Sequence, residues 1–80
     1  MRVTVELPRL GETVEEVVVL DWLVAEGEAV QRDQPLVEVE TDKLQTDVPS
    51  PVEGTVARIV AAVGDELGTG APLCEIEVDG

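Results

Sequence analysis

Lys43 is the only lysine in this 80-residue chain; the other basic residues are Arg2, Arg9, Arg32 and Arg58. It lies where an alternating stretch, Leu36 to Glu40, meets a second extended stretch, Leu44 to Pro49. Asp42 favours a turn there, because its side chain can bond the backbone ahead of it. A lysine near a hairpin tip suits covalent acylation. The tip is open to a modifying enzyme, two strands fix where the attached group begins, and lysine adds a long flexible stem. Amide formation at that amine needs an activated acyl donor and a partner that takes up the proton. A turn lysine in an arbitrary protein only adds solubility. The absence of any other lysine and its place in the repeat described below set this one apart.

Other chemistries have less to stand on. Glu38, Glu40, Asp42 and Asp47 could be imagined as a metal site or an acid–base pair. Alternation puts Glu38 and Glu40 on an outward face, which reads as a solvated surface. There is no histidine, and Cys74 is the only cysteine, so neither an intrachain disulfide nor a zinc site built on thiolates is available. No phosphate-binding Gly-rich loop and no Ser–His pair occur. The formal net charge of −13 repels nucleic-acid backbones and anionic membranes, and favours a soluble monomer. No signal-peptide pattern opens the chain and no apolar run could span a bilayer, so a cytoplasmic location is expected.

The elements that must position Lys43 read as strands. Apolar content is 44% and Trp22 is the only aromatic residue, so the core must come from Val, Leu, Ile and Ala. Such β-branched residues fit a pleated surface. Val3, Val5 and Leu7 alternate with Arg2, Thr4 and Glu6. Val37 and Val39 alternate with Leu36, Glu38 and Glu40, and Cys74, Ile76 and Val78 with Glu75, Glu77 and Asp79. Leu36 and Leu73 interrupt the alternation and are expected to cap the core. Val17 to Ala25 is read as a strand, since three successive valines are a poor helical start and Gly27 follows soon after. Dense Gly and Pro punctuation leaves little room for a long helix. Cys74 is expected as a buried thiol and Trp22 as a core residue.

The chain repeats itself. At an offset of 37, Gly27 falls on Gly64, Glu28 on Asp65, Val30 on Leu67, and Pro35-Leu36 on Pro72-Leu73; Val37 to Glu40 falls on Cys74 to Glu77. Val19 meets Val56, Trp22 meets Ile59, and Leu23 meets Val60. Upstream, Leu7-Pro8 matches Val48-Pro49 at an offset of 41, which gives the first half four extra residues within Arg9 to Glu16. Copies this short cannot each bury a face alone, so they must pack together around a pseudo-twofold axis. The expected fold is all-β: a flattened β-barrel or sandwich of two four-stranded antiparallel sheets, a barrel-sandwich hybrid. Lys43 falls at the junction of the copies, with the chain termini at the opposite end.

These residues resemble the lipoyl domain of the acyltransferase (E2) component of 2-oxo acid dehydrogenase complexes, within the biotinyl/lipoyl carrier family. The resemblance covers essentially the whole chain. Its core is Glu38-Val39-Glu40-Thr41-Asp42-Lys43, then Val48-Pro49-Ser50-Pro51 and Gly54, with Leu7-Pro8, Leu10-Gly11-Glu12, Trp22-Leu23, Glu26-Gly27-Glu28 and Val63-Gly64-Asp65 in support. It implies one carrier domain over residues 1–80, with no catalysis of its own, and lipoic acid in amide linkage to Lys43 between Asp42 and Leu44. It implies partner recognition through a long surface loop at Leu10, Gly11, Glu12 and Thr13, together with Glu40 and Thr41. Val17 departs from the pattern, since many relatives carry Gly there.

The implied partners are a thiamine-diphosphate-dependent 2-oxo acid decarboxylase (E1), the E2 catalytic core and a flavin-dependent dihydrolipoyl dehydrogenase (E3). Lipoylation would come from a lipoate ligase, or from an octanoyltransferase with lipoyl synthase. Because Met1 opens the domain directly, the expectation is the N-terminal part of a longer E2 chain. A biotinyl carrier domain usually has methionine on both sides of its lysine, where this chain has Asp42 and Leu44. An unmodified adaptor of the same fold would have no need for Glu-Thr-Asp-Lys at the junction. The resemblance does not say which 2-oxo acid is served.

Overall fold

The computed structural model describes residues 1–9, 16–42 and 44–79. Eight strands follow one another: β1 (Arg2–Glu6), β2 (Glu16–Trp22), β3 (Ala29–Val30), β4 (Pro35–Glu40), β5 (Gln45–Pro49), β6 (Gly54–Ile59), β7 (Glu66–Gly68) and β8 (Pro72–Glu77). They form two four-stranded antiparallel sheets, in the orders β1-β8-β6-β3 and β5-β4-β2-β7. The domain measures 37 × 21 × 17 Å, a flattened sandwich. The expected fold class is the one observed; the strand expected over Val17 to Ala25 is β2, which ends at Trp22 and leaves Leu23 to Ala25 in the turn that follows.

The core is aliphatic. Val5, Val17, Val19, Val37, Val39, Val48, Val56 and Ile76 are all buried between the sheets, as is Cys74. Leu36 and Val37 are adjacent and both fully buried, as are their counterparts Leu73 and Cys74. A flat strand cannot do this, because neighbouring side chains point to opposite faces. Register shifts near the starts of β4 and β8 bend the chain there, so that the leucine also turns inward. Trp22 differs from expectation. It is half-buried at the rim of the core and its indole N–H donates to the Ala61 carbonyl at 2.8 Å. Its twin Ile59 is half-buried as well, so this position lies at the rim in both halves, and there the polar edge of the indole finds its partner.

Main-chain hydrogen bonds preserve the repeat through its strands and turns. Leu23 N–H donates to Leu36 O at 2.8 Å, and Val60 N–H to Leu73 O at 2.9 Å. Gly27 N–H donates to Val56 O, and Gly64 N–H to Val19 O. Both glycines sit at positive φ, 89° and 93°, where a side chain would be strained. Asp33 (φ 70°) and Gly70 (φ 89°) are a second such pair; aspartate is among the few other residues that visit this region.

One correction follows. Val5 pairs with Cys74 and Val48 with Val37, so Val5 and Val48 are the true counterparts, 43 residues apart. Leu7 N–H donates to Ala71 O while Ser50 N–H donates to Gln34 O, which makes Leu7 the twin of Ser50 and Pro8 the twin of Pro51. The Leu-Pro and Val-Pro dipeptides resembled each other, but hydrogen bonding aligns the strands two residues further along. The first half therefore carries six extra residues between Pro8 and β2, not four.

Candidate functional site

β4 and β5 form the hairpin that brackets the sole lysine. Val37 faces Val48, Glu38 faces Asp47, Val39 faces Thr46, and Glu40 faces Gln45. The Gln45 amide donates to the Glu38 carboxylate across the outer face. At the tip, Thr41 N–H donates to Leu44 O at 2.7 Å. Leu44 N–H donates to the Thr41 hydroxyl at 3.0 Å, and that hydroxyl lies 3.2 Å from Leu44 O. The turn is thus closed from both sides around positions 42 and 43. Asp42 is exposed and Leu44 is 47% exposed, so the flanks are open to an enzyme. Lys43 itself lies outside the described residues, as do Leu10, Gly11, Glu12 and Thr13.

Beside the turn is a recess of about 300 Å³, lined by Glu16 to Val18, Glu40 to Asp42 and Glu66. It brings the start of β2 against the end of β4. Glu40 is exposed there. Thr41 is not. It is 7% exposed, and its hydroxyl is turned into the turn. The resemblance implied Thr41 for partner recognition; its hydrogen bonds make it part of the turn's frame. The signal was a hydroxyl residue opening a turn, which can bond the backbone ahead of it. Ser50, which sequence reasoning also left without a structural role, is buried and its hydroxyl donates to Val52 O at 2.6 Å.

Cys74 is fully buried, as expected, and burial pushes its thiol up to about 11, with the Glu75 carboxylate adding to the effect. Among the described residues no three acidic or cysteine side chains gather in a way that could hold a metal ion, and no helix is long and apolar enough to cross a membrane.

Known proteins share this arrangement. A family model described as "Biotin-requiring enzyme" matches residues 3–76. The acetyltransferase component of the pyruvate dehydrogenase complex of Corynebacterium glutamicum is 47% identical over 90% of the chain, which covers 11% of that protein. The acyltransferase component of the branched-chain alpha-keto acid dehydrogenase complex of Bacillus subtilis is 42% identical over 92% of the chain and 18% of that protein. The succinyltransferase component of the 2-oxoglutarate dehydrogenase complex of Bartonella vinsonii is 46% identical over 96% and 19%. The chain thus spans about a tenth to a fifth of the length of these relatives. Among solved structures, the lipoyl domain of the 2-oxoglutarate dehydrogenase complex from Azotobacter vinelandii is 32% identical, with 98% of this chain and 99% of that one covered and a TM-score of 0.76. A multi-domain long-chain acyl-CoA carboxylase shares the fold, with a TM-score of 0.79 at 20% identity, over 99% of this chain and 7% of that one. The chain belongs to the biotin/lipoyl attachment family, and within it to the lipoyl domains of acyltransferase (E2) components of 2-oxo acid dehydrogenase complexes.

Proposed function

We propose that this domain carries lipoic acid in amide linkage to Lys43 and presents it to the active sites of a 2-oxo acid dehydrogenase complex. One observation carries the reading: the only lysine of the chain falls between Thr41 and Leu44, whose hydrogen bonds close the tip of the β4–β5 hairpin. The residues present fit the group. The flanks are exposed, so a lipoate ligase, or an octanoyltransferase with lipoyl synthase, can reach the amine, and two paired strands anchor the stem. When bound, the group supplies a dithiolane that takes an acyl group at E1, yields it to coenzyme A at the E2 core and is reoxidised at E3. The domain's own contribution is tethering, which raises the local concentration of the arm at each site.

The domain is read as part of a longer cytoplasmic E2 chain, in keeping with the span of its relatives. Leu10 to Thr13 and Glu40 are assigned to E1 recognition. The six-residue excess of the first half falls between Pro8 and β2, where Leu10 to Thr13 stand in the sequence, and the recess joins the start of β2 to the hairpin. Changing Glu12 or Thr13 should slow reductive acylation by E1 and leave lipoylation intact.

The test is intact mass after co-expression with a lipoylating enzyme and lipoate, beside a Lys43→Arg control. A gain of one lipoyl group on the parent alone supports the assignment. No gain, with an enzyme shown to modify a known lipoyl domain, would leave a biotinyl carrier or an adaptor, and a biotin-ligase trial would choose between them.

A further inference from the structure

The two ends of the sandwich are related by the repeat, and they close differently. Leu44 is the counterpart of Met1, and Thr41 of Val78, by the same registers that relate β5 to β1 and β4 to β8. At the terminus end the pair exchanges two main-chain bonds: Val78 N–H donates to Met1 O at 2.7 Å, and the Met1 amino group to Val78 O at 3.0 Å. At the hairpin end the first of these bonds is retained, Thr41 N–H to Leu44 O at 2.7 Å. The second is replaced. Leu44 N–H goes to the Thr41 hydroxyl, and the same hydroxyl donates to Leu44 O.

We propose that Thr41 is a positioning residue for chemistry at Lys43, its hydroxyl fixing the frame of the lysine-bearing turn. The proposal rests on the carrier reading above. A two-residue connection ordinarily closes on a pair of main-chain bonds. Here one half of that closure belongs to a side chain, so the geometry of the turn depends on which residue stands at position 41. The hydroxyl is held inside, in a residue only 7% exposed, and a β-branched side chain has few rotamers into which to escape. A modifying enzyme must bring the lysine amine onto an activated acyl carbon, and small displacements at such a step cost rate steeply. The competing reading is that Thr41 merely fills space. Val78 fills the equivalent place at the other end, so valine is tolerated at such a position and is the informative substitution.

The experiment compares the parent chain with Thr41→Val and Thr41→Ser. Each is assayed as substrate for a lipoate–protein ligase with lipoate and ATP, and each is followed by amide hydrogen exchange. Thr41→Val should remain folded, with the Leu44 amide exchanging about tenfold faster, the effect of losing one hydrogen bond of ordinary strength. The Thr41 amide, whose partner is a main-chain carbonyl, should keep its protection. The kcat of lipoylation should fall by about tenfold or more with KM little changed, and Thr41→Ser should restore most of it. Parent-like kcat in Thr41→Val would overturn the proposal, and so would a defect that serine fails to repair. A rise in KM alone would make Thr41 a contact with the ligase instead. If the parent chain itself gains no lipoyl group, the carrier reading fails, and that is seen before any variant is compared.

Discussion

The two halves of this domain are copies that have been put to different uses, and the contrast is sharpest at their ends. One end is a closed hairpin framed by a threonine hydroxyl and joined by a recess to the start of β2. The other holds the chain termini, paired by main-chain bonds alone. The outer faces differ too. On β1 and β8, Arg2 lies 3.3 Å from Glu75 and 3.5 Å from Glu77. The equivalent position beside Glu38 and Glu40 is Gln45, and Arg58 has Asp21 as its twin. The aliphatic core and its turns follow the symmetry; the features nearest the lysine break it. Fold is therefore a property of the repeat, and the candidate site a property of the departures from it.

Exchanging residues between twins is the direct way to break this comparison. The largest effect is expected where the twins are Val17 and Gly54. Val17 is buried and packs in the core. A Cβ built on Gly54 would lie 2.3 Å from the Glu77 carbonyl oxygen and 2.8 Å from a methyl of Ile76. The first contact is backbone, which cannot swing away. Gly54→Ala should cost about 3 kcal/mol or more, at the upper end of what overpacking does, and Gly54→Val should leave little folded protein. Urea unfolding followed by Trp22 fluorescence would measure it; a loss below about 1 kcal/mol for alanine would mean that β6 and β8 can separate. The family resemblance marked Gly54 as part of a motif, but only the structure shows the close approach that requires it.

That division runs through the whole molecule. The offset of 37 found the equivalent strands and the twin turns at Gly27 and Gly64, because β-branched alternation and Gly-acid turns are local signals. What failed needed pairing information. The Leu7-Pro8 match to Val48-Pro49 was a resemblance between dipeptides, whereas strand register is set by hydrogen bonds to a distant partner. The inward turn of the Thr41 hydroxyl was not legible for the same reason: the sequence around Asp42 and Lys43 does not say which way a hydroxyl turns. Trp22 was assigned to the core from its twin Ile59, and both are half-buried at its rim, because each stands at the end of its strand, where alternation alone does not tell core from rim.

Cys74 and Val37 form a pair that sharpens the comparison in solution. Both are fully buried, but only Cys74 titrates. Its thiol is raised from 9.0 to about 11 by burial and by Glu75. Below pH 9 both folded and unfolded chains keep the proton and the group contributes nothing to pH dependence. Between about 9 and 11 the unfolded chain releases the proton and the folded chain retains it, so stability falls with rising pH. The loss should be about 2 to 3 kcal/mol by pH 11, at about 1.4 kcal/mol per unit. Cys74→Val, which makes the halves identical at this position, should flatten that part of the curve. An unchanged slope in the variant would assign the effect to other groups. The folded protein should also resist thiol reagents at pH 8.

A smaller effect is expected at Trp22. Trp22→Phe keeps most of the apolar area and removes the bond to the Ala61 carbonyl, which should cost about 1 kcal/mol. Thermal unfolding by circular dichroism would read it, since the fluorescent probe is lost. A neutral result would show that water takes over the carbonyl at this half-buried rim.

The smallest effect should come from Arg2→Gln, which copies Gln45 onto the terminus end. Arg2 makes both ion pairs found among the described residues, but its side chain is 58% exposed and the pairs are at 3.3 and 3.5 Å. Exposed pairs of this kind contribute roughly 0.2 to 1 kcal/mol and are screened by salt. The substitution should lower stability by about 0.5 kcal/mol at low ionic strength and by less in 0.5 M salt, as the carboxylates of Glu75 and Glu77 are screened from each other. Two outcomes would differ in meaning. A loss that vanishes with salt would make the charge pattern of this face a matter of solubility alone. A loss that persists in salt would mean that the arginine stem packs against β8 and helps hold the edge strand β1 in place, which Gln45, on a strand tied to β4 by a short hairpin, is not required to do.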